Sequence, residues 1–254
     1  MITAGIDSGA KNVKAVIMRD GKVVGKSMVP AGMDAKAAAN QAYDEALKTA
    51  GVTRKDVQKV LVTGAGRKDC DFAHGEVTEV SADSKGIIFT MPNTRTVISV
   101  GAEEGRAVRV NDKGGIVDFA INEKCAAGAG TFVEAMARAL ETQVEKMSEL
   151  YGQSTKEIDM NAQCAVFAES ELVSLIHSQT AKPDIVRAVL NAIADRVVSM
   201  MRRVGIENDV AAIGGVALNS GFIKAVEKEL NIKIAVPADP QFVSAIGAAI
   251  AAAE

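Results

Sequence analysis

Short apolar runs separated by turns open the chain and predict three β-strands. The runs cover residues 2–7, Asn12–Met18 and Val23–Val29, and a tight glycine-containing turn joins the last two. The alanine-rich stretch Ala35–Ala50 then shows apolar residues at helical spacing, and Gly51 closes it. The beginning of the chain is therefore predicted as three strands followed by one helix.

Strand and helix patterns continue to alternate along the rest of the chain. Predicted strands cover residues 57–63, 209–213 and 232–236, and predicted helices cover residues 81–89, 183–205 and 241–253, with another helix starting at Ser220. Alternation of this kind is typical of α/β proteins. We therefore predict an α/β fold.

Residues 97–112 repeat the pattern of residues 5–20 when the chain is shifted by 92 positions. The matched pairs include Gly9 with Gly101, Ala10 with Ala102, Ala15-Val16 with Ala107-Val108, and Asp20 with Asp112. Chance matching of small residues in two strands is one explanation. A duplicated α/β domain with two phosphate-binding hairpins is the more economical one.

Two glycine turns have the composition of nucleotide-binding loops. The turn after Asp7 offers free backbone N–H groups beside a carboxylate, which suits a nucleotide phosphate with its Mg²⁺. Gly214 and Gly215 follow a buried strand and precede a helix start, where a flat ring could approach the backbone. Asp and Gly also occur in hairpins for turn geometry alone, so the residues by themselves leave both interpretations open.

Composition narrows the class of protein. The chain has 254 residues and a net charge of −3 with both signs scattered, which favours neither nucleic acid nor an anionic membrane as a partner. No apolar run approaches the roughly 20 residues of a membrane span, and the N-terminus has no signal-peptide pattern. Three widely spaced cysteines argue against a disulfide framework. We therefore expect a cytoplasmic protein.

Cys125 and Cys164 each stand just ahead of a helical pattern, where a thiolate is favoured by the helix dipole. Common iron–sulfur clusters need about four thiolates, whereas this chain has three cysteines. The third, Cys70, lacks a glycine-rich approach and is not assigned to a cluster. If Cys125 and Cys164 are ligands, two more must come from a second copy or a partner chain. The alternative is that both are ordinary buried thiols.

The order of these motifs carries a family resemblance over essentially the whole chain. The motifs are Gly5-Ile-Asp-Ser-Gly9, the hairpin at Gly101, Cys125-Ala-Ala-Gly-Ala-Gly130, Cys164-Ala-Val-Phe-Ala-Glu-Ser-Glu171, Gly214-Gly215-Val-Ala and Ala245-Ile-Gly247-Ala-Ala. This order resembles the BadF/BadG/BcrA/BcrD ATPase family. Its members are activators of 2-hydroxyacyl-CoA dehydratases and ATP-binding subunits of class I benzoyl-CoA reductases.

The resemblance implies an actin/hexokinase/Hsp70-like fold, built from two duplicated ribonuclease-H-like domains with a nucleotide cleft. The expected domains are 1–93 plus 237–254, and 94–236 with the cluster cysteines. It also implies ATP or ADP with Mg²⁺, and one 4Fe-4S cluster held between two subunits by Cys125 and Cys164 of each. In the family, a ferredoxin or flavodoxin supplies electrons, and ATP drives a low-potential electron into the acyl-CoA enzyme component.

Carried over position by position, the resemblance assigns the site residues. Cofactor binding falls to Ser8, Gly9, Lys14, Gly101, Gly214, Gly215 and Gly247, and catalysis to Asp7. The second hairpin departs from the pattern, because Ser99 stands where activators typically have Asp in Asp-Ile-Gly-Gly-Gln-Asp. Glu103 or Glu104 is expected to substitute as the second catalytic carboxylate, although glutamates in a turn are more often simply solvated.

The second hairpin, Gly-Ala-x-x-Gly-Arg-Ala, looks more like that of the D-type benzoyl-CoA reductase chain, which pairs with an A-type chain. We therefore favour a subunit of an ATP-driven aromatic acyl-CoA reductase. A homodimeric dehydratase activator is the close alternative. A kinase of the same superfold, or an ATP-binding assembly protein without a cluster, is a second alternative from another class.

Overall fold

The computed structural model describes residues 1–122, 129–160 and 165–254 and divides into two compact units. The first unit comprises Met1–Val97, Val110–Val117 and Pro237–Glu254, and the second comprises Ile98–Arg109 and Asp118–Val236. Among the described residues, no helix combines the length and the apolar character that a membrane crossing requires.

The first unit is built on a five-stranded mixed sheet. Its strands are β1 (Ile2–Ser8), β2 (Asn12–Arg19), β3 (Lys22–Pro30), β4 (Lys59–Thr63) and β5 (Gly75–Glu76), in the order β3-β2-β1-β4-β5. Central strand β1 pairs antiparallel with β2 and parallel with β4. The helices of this unit are α1 (Ala35–Ala50), α2 (Glu79–Thr90) and, from the end of the chain, α8 (Val243–Ala251).

The second sheet has the same strand order. Its strands are β6 (Thr96–Val100), β7 (Gly105–Val110), β8 (Ile116–Asn122), β9 (Val210–Ile213) and β10 (Ile234–Ala235), in the order β8-β7-β6-β9-β10. The helices of the second unit are α3 (Gly130–Ala139), α4 (Val144–Gln153), α5 (Ala165–His177), α6 (Lys182–Val204) and α7 (Ser220–Leu230). Because each strand of one sheet has a counterpart in the other, the structure supports the duplication inferred from the sequence repeat.

Capping residues set the helix limits. Asp34 accepts a hydrogen bond from the Ala37 amide at 2.9 Å, and Gly51 ends α1 in the left-handed region with φ 65°. The predicted limits of α1 are therefore confirmed. Helix α2 begins at Glu79, two residues earlier than predicted, because the Thr78 side chain caps it by accepting from the Ser81 amide at 3.3 Å.

Glycines permit very close packing of α8 within the first unit. A Cβ on Gly247 would lie 1.8 Å from the carbonyl oxygen of Ala82 in α2. A Cβ on Gly86 of α2 would lie 2.0 Å from the Val243 carbonyl oxygen, and one on Gly5 of β1 would lie 2.0 Å from that of Ala245. The helix backbone therefore touches both α2 and the central strand, which leaves no room for larger residues.

The substitution Gly247→Ala tests this packing. We expect a loss of about 3 kcal/mol in the free energy of unfolding, because the added methyl overlaps backbone that cannot retreat alone. The control is Gly152→Ala in α4, where a Cβ meets nothing within 4 Å. That variant should stay within about 1 kcal/mol of wild type. Urea unfolding of both variants measures the difference, and equal midpoints would contradict the packing argument.

Candidate nucleotide-binding hairpins and the approach to the cysteines

The first hairpin holds an ion pair at the end of the central strand. Asp7 and Lys14 are paired across β1 and β2, and Lys14 Nζ lies 2.9 Å from Asp7 Oδ2. Both side chains are mostly buried, at 13% and 15% exposure. A Cβ on Gly9, in the turn between them, would lie 3.1 Å from Lys14 Nζ. Because Gly9 has no side chain, the ammonium group of Lys14 has room to lie close to the turn.

Strand β4 adds a hydroxyl that the sequence analysis missed. Thr63 is the parallel partner of Asp7, so both side chains lie on the sheet face that carries Thr3, whose Oγ1 donates to the Ala249 carbonyl of α8 at 2.9 Å. Thr63 is fully buried, and its Oγ1 has no hydrogen-bond partner among the described residues. Lys14, Asp7 and Thr63 thus form a polar row across three strands.

Gly64 turns the chain over this row. Its φ is +92°, and a Cβ there would lie 2.5 Å from the Ser8 carbonyl oxygen and 2.7 Å from Asp7 Oδ1. The residue must therefore be glycine for two independent reasons, conformation and space. The only sequence signal at this point was the glycine turn that follows the predicted strand.

Ser8 lies on the opposite face of β1 and is almost fully buried. Its backbone carbonyl accepts the Gly66 amide at 2.8 Å, and its side chain forms a hydrogen bond with the thiol of Cys70. Burial raises the pKa of the Cys70 thiol to about 11, against the smaller lowering effect of Ser8. The hydroxyl and the carbonyl of Ser8 are therefore both engaged within the first unit.

The second hairpin keeps the cation and relocates the carboxylate. Arg106 of β7 donates to Ser99 Oγ of β6 at 3.0 Å and forms an ion pair with Glu104 in the turn. The Arg106 side chain is 7% exposed and that of Glu104 24%, whereas Glu103 is exposed to solvent. Two glutamates are predicted to replace the missing aspartate. Of these, Glu104 forms an ion pair with Arg106, and Glu103 faces solvent.

Helix α3 begins against this turn. The amide of Gly130 donates to the Gly101 carbonyl at 2.8 Å, and the amide of Thr131 donates to the Ala102 carbonyl at 2.8 Å. The first amides of a helix have no acceptors within the helix, and here the carbonyls of the hairpin serve as their acceptors. A Cβ on Gly130 would lie 3.0 Å from Gly101 O and 3.2 Å from Val216 Cγ2. The helix start therefore touches both the hairpin and the loop at Gly214–Val216.

The Gly214–Gly215 loop repeats the geometry seen at Gly64. Gly214 has φ +87°, and a Cβ there would lie 2.4 Å from the Val100 carbonyl oxygen at the end of β6. After Gly215 the chain forms a short 3₁₀ turn and then α7, whose first turn is capped by Asn219 accepting from the Phe222 amide at 3.1 Å. Gly247, also predicted to bind the cofactor, lies in α8 against α2, where packing accounts for it.

Cys125 and Cys164 both lie outside the described residues, so their role as cluster ligands remains a prediction. The described chain reaches Asn122 and resumes at Ala129, immediately before α3. Ahead of Cys164, Asp184 of α6 anchors the chain by accepting from Thr155 N at 2.8 Å, Lys156 N at 2.9 Å and Ser154 Oγ at 2.9 Å. These hydrogen bonds, that from Lys156 foremost, lower the pKa of Asp184.

A family model describing the BadF/BadG/BcrA/BcrD ATPases matches residues 4–252. The chain belongs to the BadF/BadG/BcrA/BcrD ATPase family. Among its relatives in this family, the activator of lactoyl-CoA dehydratase from Anaerotignum propionicum is 39% identical, over 100% of this chain and 98% of the activator's own length. The D chain of benzoyl-CoA reductase from Thauera aromatica is 30% identical over 98% of this chain and 92% of its own.

A solved structure of the family agrees closely with this fold. Component A of (R)-2-hydroxyglutaryl-CoA dehydratase from Acidaminococcus fermentans superposes with a TM-score of 0.95 at 36% identity, covering 99% of this chain and 97% of its own. A hexokinase from Thermus thermophilus, at 14% identity and a TM-score of 0.54, shares the fold alone. The predicted actin/hexokinase-like fold and the assignment as an ATPase are thereby confirmed.

Cys70 offers a direct test of the first unit's packing. Because its pKa is raised to about 11, its thiolate fraction at pH 8 should be about a thousandth, and alkylation should be correspondingly slow. We expect iodoacetamide to modify Cys70 at least about 100-fold more slowly in the folded chain than in urea, with the rate rising as the pH approaches 11. Peptide mass spectrometry measures both rates, and equal rates would contradict the burial of this thiol.

Proposed function

We propose that this chain is the homodimeric activator of a 2-hydroxyacyl-CoA dehydratase, an ATP-dependent donor of low-potential electrons to that enzyme. The observation that carries the proposal is its similarity over almost its whole length to three dehydratase activators, at 39%, 34% and 37% identity. This differs from the sequence analysis, which favoured a benzoyl-CoA reductase chain on the strength of one hairpin. Agreement along the entire chain outweighs one short motif.

The first hairpin supports binding of ATP with its Mg²⁺. Lys14 would neutralise phosphate oxygens, and Asp7, 2.9 Å from it, would accept hydrogen bonds from water on the metal ion. Gly9 leaves the turn backbone open to a phosphate. The hydroxyl of Thr63, which has no partner in the part of the chain that the structure describes, adds a polar group on the same face as Asp7. Bound ATP supplies the free energy that the electron transfer requires.

Three glycines of the second unit are also proposed to bind the nucleotide. Gly101 would face a phosphate, while Gly214 and Gly215 would lie against the adenosine, since neither carries a side chain to block a flat ring. Ser99 stands where the family resemblance predicts an aspartate and accepts from Arg106 at 3.0 Å, so the second hairpin presents no carboxylate at that position. Asp7 is therefore proposed as the principal catalytic carboxylate.

We propose that Cys125 and Cys164 supply two of the four thiolates of a 4Fe-4S cluster and that a second copy of the chain supplies the other two. Membership of the family supports this, and helix α3, which begins at Gly130 after Cys125 in the chain, is hydrogen-bonded to the second hairpin. A cluster shared between two copies is well placed to respond to nucleotide, since any movement of one copy changes its surroundings. An upstream ferredoxin or flavodoxin would reduce it.

A D-type chain of a benzoyl-CoA reductase is the second candidate. The favouring observation is the buried contact of Ser99 with Arg106, which makes the departure from the activator hairpin a structured feature of the turn. The 30% identity to the D chain of benzoyl-CoA reductase is consistent with it. Under this alternative the chain would need an A-type partner to complete the cluster.

The two hairpins should differ in their importance for ATP hydrolysis. We expect Asp7→Asn to lower kcat by about 100-fold or more, because it removes the carboxylate proposed to orient Mg²⁺-bound water. Ser99→Ala should lower it by less than about fivefold, since the hydroxyl it removes is not proposed to touch the nucleotide. Steady-state phosphate release by purified protein measures both, and an effect of Ser99→Ala as large as that of Asp7→Asn would overturn the assignment.

Metal analysis tests the cluster. Anaerobically purified chain should contain about four iron and four sulfide per dimer, and either Cys125→Ala or Cys164→Ala should abolish them. Cys70→Ala is the control and should retain both. Gel filtration of the chain alone separates the two candidate functions, because an activator forms a cluster-bearing homodimer, whereas a D-type chain forms a cluster-bearing dimer only with its A-type partner.

A colourless, stable ATP-binding protein after anaerobic reconstitution, both alone and with an A-type partner, would contradict both candidates. That result would leave the kinase or assembly alternatives, which have no use for a shared cluster. Mixing reduced protein and MgATP with a 2-hydroxyacyl-CoA dehydratase, and recording 2-enoyl-CoA formation, then tests the proposed partner directly.

A further inference from the structure

We infer that the Glu104–Arg106 ion pair is a positioning element that carries the nucleotide state of the second hairpin to the start of helix α3. The inference rests on the proposed function for the identity of the ligand. It assigns Glu104 and Arg106 to the turn itself, in place of the catalytic role predicted for Glu104.

The ion pair fixes the shape of the turn. Glu104 and Arg106 flank Gly105, so their contact holds the chain leaving the turn, and Arg106 is also anchored to Ser99 on the neighbouring strand at 3.0 Å. The same Glu104 offers its backbone carbonyl to the Gly101 amide at 2.9 Å, which closes the turn from the other side. A charged hydrogen bond at a buried arginine is stronger than a neutral one, so this pair stabilises the turn.

The closed turn holds the start of α3. Its Gly101 and Ala102 carbonyls accept the amides of Gly130 and Thr131, both at 2.8 Å. These bonds are directional, and a rotation of either carbonyl would weaken them. Gly130 packs so closely on Gly101 that the contact leaves no slack, since a Cβ there would already lie 3.0 Å from the carbonyl oxygen. A change in the turn would therefore alter the bonds that hold the start of the helix.

The first hairpin lacks this arrangement, which argues that it is specific to the second. There the carboxylate, Asp7, lies on the central strand, and the position equivalent to Glu104 in the 92-residue repeat is Asn12. The counterpart of Asp7 in the second hairpin is the uncharged Ser99, so Arg106 takes its carboxylate from the turn. The duplication has thus produced one hairpin that presents its carboxylate on the strand and one that uses it within the turn.

Hydrogen–deuterium exchange at Gly130 and Thr131 tests the inference without depending on iron. In wild-type full-length protein, saturating Mg²⁺ with the non-hydrolysable analogue ADPNP should change the exchange rate of these amides by about tenfold or more. Glu104→Gln should raise their exchange without nucleotide and remove the response to ADPNP, while ADPNP still binds. Glu104→Asp, which restores the charge, should recover part of the response.

The matched control is Glu229→Gln, which removes the same group from an exposed Glu–Arg pair with Arg202 in the same unit. It should behave as wild type. Arg106→Lys provides an independent variant if Glu104→Gln does not fold, and it should also lose the response because lysine cannot hold Ser99 and Glu104 together.

Three results would overturn the inference: no nucleotide response in wild type, an unchanged response in folded Glu104→Gln or Arg106→Lys, or loss of ADPNP binding in these variants. The last would make the pair part of the binding site itself. Absence of iron from wild-type protein that still shows the exchange response would instead contradict the proposed electron-transfer function and leave the coupling intact.

Discussion

Backbone-to-backbone contact at the ends of the central strands is the constraint on which both units depend. In each unit a glycine with positive φ follows the strand beside the central one, at Gly64 and at Gly214, and lies against the carbonyl of the residue that ends the central strand, Ser8 or Val100. No residue with a Cβ fits either place. This contact lets the chain pass directly over a hairpin turn. In the first unit the turn then lies beside the polar row across three strands, and in the second it is hydrogen-bonded to the start of α3.

On this shared framework the two halves have diverged in charge. The first keeps a carboxylate and an ammonium group side by side across β1 and β2, with 2.9 Å between them. The second keeps the cation, exchanges the strand carboxylate for a hydroxyl and recruits Glu104 from its turn. The first hairpin is the one proposed to hold a metal-bound phosphate, and the second holds the start of α3. The two hairpins of the duplicated fold therefore use their charged residues differently.

Local patterns predicted much of the fold because the relevant interactions are local. The limits of α1 follow from its cap residues, and the correspondence of β1 and β2 with β6 and β7 follows from the 92-residue repeat. Strand β10 is only two residues long, shorter than the predicted 232–236, because just Ile234 and Ala235 pair with β9. Thr63 could not be predicted from its neighbours in the sequence, since only the register of β4 against β1 brings it beside Asp7.

The contacts of Glu104 could be predicted in part from the sequence. The shift that aligns Gly9 with Gly101 also aligns Asp7 with Ser99 and Lys14 with Arg106. A buried arginine opposite a serine favours a carboxylate from another position as its partner. Whether that carboxylate is Glu103 or Glu104 depends on which side chain the turn directs back toward β7.

The bonds that seat α3 on the hairpin have a consequence for how such chains can be recognised. Both are made between main-chain atoms of Gly101, Ala102, Gly130 and Thr131, so they specify no side chain in the turn beyond what the close contact at Gly130 demands. The bonds hold only while the turn keeps its shape, which the Glu104–Arg106 pair stabilises. The paired glycines, one at the turn and one at the helix start, are therefore the sequence feature from which this seating of a helix on a hairpin can be recognised.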